Sequence, residues 1–441
     1  MPQSPPVGQE DIARARLRFR RLVLLLAILL LLIGGVLWYW RDLHRYHVTL
    51  AFDDINPILE PRAAGFLVGG EVTPYSFYDW QGTLRWRVEE NHRERYIRAG
   101  AVLMETEKRY ALSPDGQFLS VIDSVPWAKQ VELRTWRKGK PYRKMKAPLG
   151  TINWLQQMND GTVFVSGTRQ GEAHMVLWVK GARIAARAAN YSLVEVAADR
   201  AVALAARTGG RNVIMGIPCA MTIANGDIRL RPITWRGDCS VHDKGIVLFR
   251  DGFIHQNGAV KRLVPGAPNV HLVGLSPTRG YAVFTAQRHA MVISPVTGAN
   301  WSFPIENGSA IADGSPGVSE NGRFVAVTCR RDAFQKLRRL YNIIPRLGRL
   351  LPRRQRLDVL LYARPGRLVA NLSDSLDTQI AADSPWHPSP DGHTLVGFIR
   401  DGSRGRRCVL VRKARLHGNP SLLDNLNSLC LTTRVPGTVV E

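Results

Sequence analysis

Acidic residues are in short supply in this chain: 36 Asp and Glu face 60 Lys and Arg, for a formal charge of +24 over 441 residues. Such a surface repels basic partners and attracts polyanions. Cysteine is sparse too, at five, and no Cys-x-x-Cys or Cys/His spacing would hold a metal. The odd count excludes a complete disulfide framework. Cys219 with Cys239 and Cys408 with Cys430 could pair, five reduced and mostly buried thiols fit the composition equally, and Cys329 reads as a strand residue. Catalytic signatures are also missing. There is no Gly-x-Ser-x-Gly elbow, no Gly-rich loop ending in Gly-Lys-Ser/Thr and no His-Glu-x-x-His, and the eleven histidines are scattered. His44, His47, His387 and His393 read as surface or structural groups, and neither a catalytic residue nor a cofactor is called for.

Long apolar runs are absent with one exception, Leu22 to Trp40, which carries no charge and closes on Trp38-Tyr39-Trp40. As a helix it reaches roughly 28 Å, the thickness of a bilayer core. Arg14, Arg16, Arg18, Arg20 and Arg21 precede it and only Arg41 and Arg45 follow closely, so the N-terminus is expected in the cytoplasm. No small-x-small site follows, which favours an anchor over a cleaved signal peptide. Arg20, Arg21, Trp38, Tyr39 and Trp40 are the expected interface residues. The expected location is a bacterial-type inner membrane, single-pass, with the bulk of the chain on the periplasmic or extracellular side.

Behind this run a short cassette keeps returning. Ser113-Pro114-Asp115-Gly116-Gln117-Phe118 and Ser389-Pro390-Asp391-Gly392-His393-Thr394 are full copies; Ser276-Pro277-Thr278-Arg279-Gly280-Tyr281 and Ser319-Glu320-Asn321-Gly322-Arg323-Phe324 are looser ones. Proline presets φ, the Asp or Asn side chain caps the turn and glycine accepts positive φ, so the chain reverses into a strand. Other turn centres fall at Asp160-Gly161, near Ala197 to Asp199 and at Asp243-Lys244-Gly245, and most adjacent spacings match the length of a four-stranded blade. Strands are expected at Phe118 to Ile122, Val163 to Ser166, Ala201 to Ala206, Ile246 to Phe249, Tyr281 to Thr285, Phe324 to Thr328 and Thr394 to Ile399. The fold class is therefore all-β, a seven- or eight-bladed β-propeller behind one N-terminal transmembrane helix.

The Ser-Pro-Asp-Gly units resemble the WD-like repeats of TolB-type propellers. Tyr78 to Val88, with Gly82 in a turn and Trp86 in a strand, resembles a repeat of the PQQ-type propellers. The first resemblance implies a protein-interaction platform, the second a quinone-dependent oxidoreductase. The chain divides into a basic tail (1–21), the helix (22–40), a linker (41–62), the propeller (63–417) and a C-terminal helix and tail (418–441). Ring closure is expected between the strand after Ala63 and Arg406 to Arg412.

Residues 330–356 form a basic insertion with ten Lys or Arg against Asp332. Phe334, Leu337, Tyr341 and Ile344 recur at helical intervals beside Lys336, Arg338, Arg339, Arg346 and Arg349, the pattern of an amphipathic helix on anionic lipid or packed on its own propeller. A second basic stretch, Arg134 to Lys146, interleaves Trp136 and Tyr142, the pattern of a solvated hairpin or of a nucleic-acid or glycan contact. Together these readings give a membrane-anchored extracytoplasmic scaffold. Its expected partners are membrane lipid and an unidentified envelope protein or anionic polymer; nucleic acid is disfavoured by location.

Overall fold

A computed structural model describes residues 19, 22–36 and, with gaps of which 333–354 is the longest, 46–413. Residues 22–36 are helical and exposed throughout. No helix among the described residues is long and apolar enough to cross a membrane. The remainder is almost entirely antiparallel sheet, and residues 48–412 form one compact unit.

Among the described residues seven hydrogen-bonded sheets follow one another, and one of them is two four-stranded runs joined edge to edge. We letter these blades by span: A (58–88), B (95–147), C (151–189), D (191–232), E (239–262), F (270–304), G (310–371) and H (379–413). C and D are the joined pair, linked by a short parallel contact of Arg187 with Asp227. Blade H is completed from the other end of the chain, because Tyr46–Asp53 lies along Arg406–Lys413 as its edge strand. The ring thus closes through a strand that precedes Ala63. Gly65–Gly69, expected as the closing strand, pairs within blade A. The segment expected as a linker carries two strands, Tyr46–Asp53 and Ile58–Arg62. The seam between H and A is apolar, with Phe66, Val68 and Trp80 packed on Val396, Cys408 and Leu410.

The cassettes form the expected turns. Gly116 N–H donates to Ser113 O at 2.9 Å, Ser113 Oγ donates to Asp115 Oδ1 at 2.5 Å, and Phe118 N–H returns to Ser113 Oγ at 2.9 Å. The same three bonds recur around Ser389 and Ser319. The aromatic that opens the following strand serves the next blade. Phe118, Tyr281 and Phe324 pack on Gly161, Gly322 and Gly392, each at positive φ in the neighbouring turn. Glycine is required there twice over, for the left-handed backbone and for the room its missing Cβ leaves.

Cys219, Cys329 and Cys408 are buried free thiols and Cys239 is a half-buried one, so the Cys219–Cys239 pairing is not made. Burial pushes all four thiols up, Cys219 to about 11 and Cys329 to about 12, which makes them poor nucleophiles. Cys430 lies outside the described residues, as does the expected C-terminal helix. The basic insertion leaves and re-enters through one hairpin, since Phe324–Asp332 and Gln355–Ala363 pair out to Asp332 opposite Gln355.

The packed turn glycines give a first test. Gly322→Ala should cost about 2–4 kcal/mol, from the left-handed backbone plus overpacking on Tyr281. Gly258→Ala has a similar φ of +78° but nothing within 4 Å, and should cost about 1 kcal/mol from the backbone alone. Denaturant unfolding of both variants measures the difference; equal losses would remove the packing role of the aromatic.

Candidate functional site

Strands and turns of blades A to F line a cavity of about 290 Å³. Its wall combines Glu60 and Arg62 from blade A, Tyr110 to Leu112 from B, Trp154 to Gln157 from C, Val194 to Ala197 from D, Val241 to Asp243 from E and Pro277 to Arg279 from F. The cassette turns surround one mouth of this channel, and side chains latch each turn to the next.

Arg62 Nε and Nη2 donate to the carbonyls of Ser113 and Leu112 at 3.0 and 2.9 Å, joining A to B, while Arg62 also pairs with Glu60. Asn159 Oδ1 accepts Asp115 N–H at 3.0 Å, and Asp243 Oδ1 accepts Asp199 N–H at 3.0 Å. Glu320 accepts both the N–H and the hydroxyl of Thr278. Asn321 donates to Pro390 O at 2.7 Å, joining G to H. Arg200 pairs with Asp160; burial opposes ionisation of that carboxyl, but hydrogen bonds from Thr162 and Arg200 outweigh it and hold it below its usual range. The result is a rim of turns tied to one another by side chains 40 or more residues apart.

In three consecutive blades the left-handed turn position, glycine at 116, 161, 322 and 392, is occupied by a cation: Arg200, Lys244 and Arg279, each with φ between 62° and 63°. A residue with a Cβ is strained there, and such strain persists where the side chain is needed. Arg279 of blade F pairs with Glu195 of blade D, and Glu195 Oε1 also accepts Val241 N–H at 3.0 Å. Arg279 lines the cavity and keeps 39% of its side-chain surface. Removal from bulk water, and then the nearby Arg62, lower its pKa to about 10.

One buried histidine, one half-buried histidine and one carboxyl flank these arginines. His242 Nδ1 donates to Arg279 O at 2.7 Å, so Nε2 accepts from Ser240 Oγ at 2.9 Å and the neutral tautomer is fixed. Burial lowers His242 to about 4, against weaker opposing effects from the Arg279 carbonyl and Asp243. His387 falls to about 4 through burial and then the charge of Arg62. Burial pushes Glu320 up to about 7, opposed by the Thr278 N–H and Arg62.

None of these groups was singled out from sequence as a site. Arg279 and Glu320 lie inside the two imperfect cassettes, Arg279 in place of the glycine and Glu320 in place of the proline, and those departures mark them. The sequence candidates Phe334, Lys336, Leu337, Arg338, Arg339, Tyr341, Ile344, Arg346 and Arg349 lie outside the described residues, as do Arg20, Arg21, Trp38, Tyr39 and Trp40. In the Arg134 to Lys146 hairpin, Trp136 packs into the core and Arg143 is buried, bonded to Thr135 and Gly181 O. Trp86 stacks on Phe77 at 5.2 Å and donates to Gly116 O at 3.2 Å, so the quinone-type segment is occupied by the A–B seam. The quinone reading has no support among the described residues. Those residues also hold no cluster of three metal-ligating side chains.

Comparison with family models finds no match, and no curated protein matches. Solved structures do. The WD40 domain of SCAP from fission yeast is 10% identical, with TM-score 0.45, covering 84% of this chain and 95% of that one. The β-propeller domain of Cps50 (Swd1) from Myceliophteria thermophila is 11% identical, with TM-score 0.39 and coverages of 83% and 99%. The propeller domain of the Trilobed protease from Pyrococcus furiosus is 10% identical, with TM-score 0.38 and coverages of 76% and 100%. At these scores they are likenesses only, and the propeller is read from its own sheets.

The site is expected to respond to pH in two directions. Between about pH 6.5 and 4 the folded chain holds fewer protons on His242 and His387 than the unfolded chain, so acid favours unfolding. Glu320 acts oppositely: its stabilising share is complete below the usual carboxyl value near 4.5 and is lost as pH rises through about 7. Thermal midpoints from pH 5 to 8 should therefore show a flatter acid limb for His242→Gln, and for Glu320→Gln a gain that grows toward pH 8. Unchanged acid limbs would mean that His242 is hydrated in the folded protein.

Proposed function

We propose that this chain is a membrane-tethered binding scaffold: an eight-bladed propeller of WD-like, TolB-type repeats that presents its latched mouth to an envelope protein or polymer. The observation that carries the reading is the mouth itself. Turns tied in sequence around a polar cavity, with Arg279 held in a strained conformation in its wall, make a rigid recognition surface. Rigid loops on a closed ring bind with little ordering cost.

The tether reading rests on the composition of residues 22–36, which are wholly uncharged, together with the arginines before and the aromatic cluster after them. The ring then lies on the extracytoplasmic side. Within the same reading the basic insertion meets anionic lipid through Leu337 and Ile344 with its arginines at the headgroups, since surface cations contribute about 1 kcal/mol each there.

Reporter fusions test the tether. A reporter active only after export should be active at the C-terminus and silent when fused before Arg14, and neutralising Arg14, Arg16, Arg18, Arg20 and Arg21 should weaken that bias. A cytoplasmic C-terminus would overturn the location while leaving the ring intact.

A further inference from the structure

The charge of the ring is unevenly placed. Strands from blades A to F line the cavity, and the rim strand of each blade is the one at the opposite end of that blade's hydrogen-bonded order. Exposed cations number two on Leu84–Val88, three on Lys140–Ala147 and two each on Arg183–Ala189, Asp227–Pro232 and Ala259–Arg262, the rim strands of blades A to E. Those five strands hold one acid, Asp227. The rim strands of F, G and H, which are Asn300–Pro304, Arg367–Asn371 and Tyr46–Asp53, carry one Lys or Arg between them, Arg367. Among these described rim strands, the cations are therefore concentrated on blades A to E.

Part of this arc is internally neutralised. Arg85 pairs with Asp79 at 2.6 Å and Lys144 with Glu132 at 3.1 Å. Lys146, Arg183, Arg187, Arg229, Arg231 and Lys261 form no ion pair among the described residues. Arg187, Arg229 and Arg231 belong to the edge where C and D join. The Arg187–Asp227 register puts the three on one exposed face, with Asp227 between them.

We propose that this arc binds a flexible linear polyanion of the polyphosphate type, laid along the rim strands of blades A to E. Three features select that partner. Neighbouring blades of a seven- or eight-bladed ring turn by about 45–50°, so five successive edges face directions no flat bilayer can meet together, whereas a flexible chain follows them. The rim strands of A, C, D and E expose no aromatic side chain; Tyr142 on B and Trp235 beyond D are isolated, so bases would find no continuous stacking platform. Guanidinium groups, which predominate on C and D, match phosphate oxygens in a fork.

The test uses the full chain in detergent and labelled inorganic polyphosphate of short and long length, titrated over a range of salt. Long chains are expected to bind at least tenfold tighter than short ones, since only they span the arc. Arg229→Gln with Arg231→Gln should weaken long-chain binding by about tenfold and reduce the salt slope by about 1.5. Arg364→Gln with Arg367→Gln, the same charge loss on the opposite arc, should leave it unchanged, and thermal midpoints confirm that both variants fold. Equal loss in the two variants, or no length dependence, would overturn the arc. So would tighter binding of a charge-matched single-stranded oligonucleotide, or loss of anionic-vesicle binding in the Arg229/Arg231 variant. The inference rests on the rim alone, so it can fail while the tethered-scaffold reading stands, and the reverse.

Discussion

Closure of the ring is the constraint on which the rest depends. Blade H receives its edge strand, Tyr46–Asp53, from the start of the propeller and its other strands from the end, so its hydrogen bonds hold the two ends of the ring together. The H–A seam adds Phe66, Trp80 and Leu410, each a side chain whose burial contributes about 1.5–3 kcal/mol as an upper figure. An open ring would expose both this apolar face and a long unpaired strand, a template for aggregation. The cavity exists only because closure fixes the distance between blades that never touch in sequence.

Within the closed ring the turns share a division of labour. In the Ser113 cassette serine and aspartate organise their own turn, Phe118 packs on Gly161 of the next turn, and Asn159 from that turn completes the latch. The local bonds need no ring and the latches do. Glycine gives way to Arg200, Lys244 and Arg279 at a locally unfavourable backbone, and two of these side chains bridge blades, Arg200 to Asp160 and Arg279 to Glu195. Blades D to F therefore carry strain on the same mouth that the cavity opens into. A mouth stiffened this way is suited to recognition by shape, while a rim charged along one arc is suited to recognition by field.

The titratable groups fit the same geometry. His242 is neutral because it is enclosed and its Nδ1 proton is committed to Arg279 O, and Glu320 resists ionisation because it is enclosed beside Thr278. Both act between blades. Protons gained or lost there bear on the latches before they bear on the strands.

What the sequence determined by itself was local. Pro, Asp and Gly in fixed order specify a turn, and alternating apolar runs specify the strand after it, so the all-β class, the repeat and strands such as Phe118–Ser124 and Thr394–Arg400 were legible without coordinates. The thiols, equally compatible with pairing or burial, were decided only by packing, because pairing depends on Cα separation. The closing strand was misassigned to Gly65–Gly69 because an apolar run signals a strand without naming its partner; hydrogen-bond pairing across more than 350 residues is a tertiary matter. The same holds for the site. Arg62, Glu195, His242 and Arg279 become a cavity wall only because the fold brings blades A, D, E and F together around it.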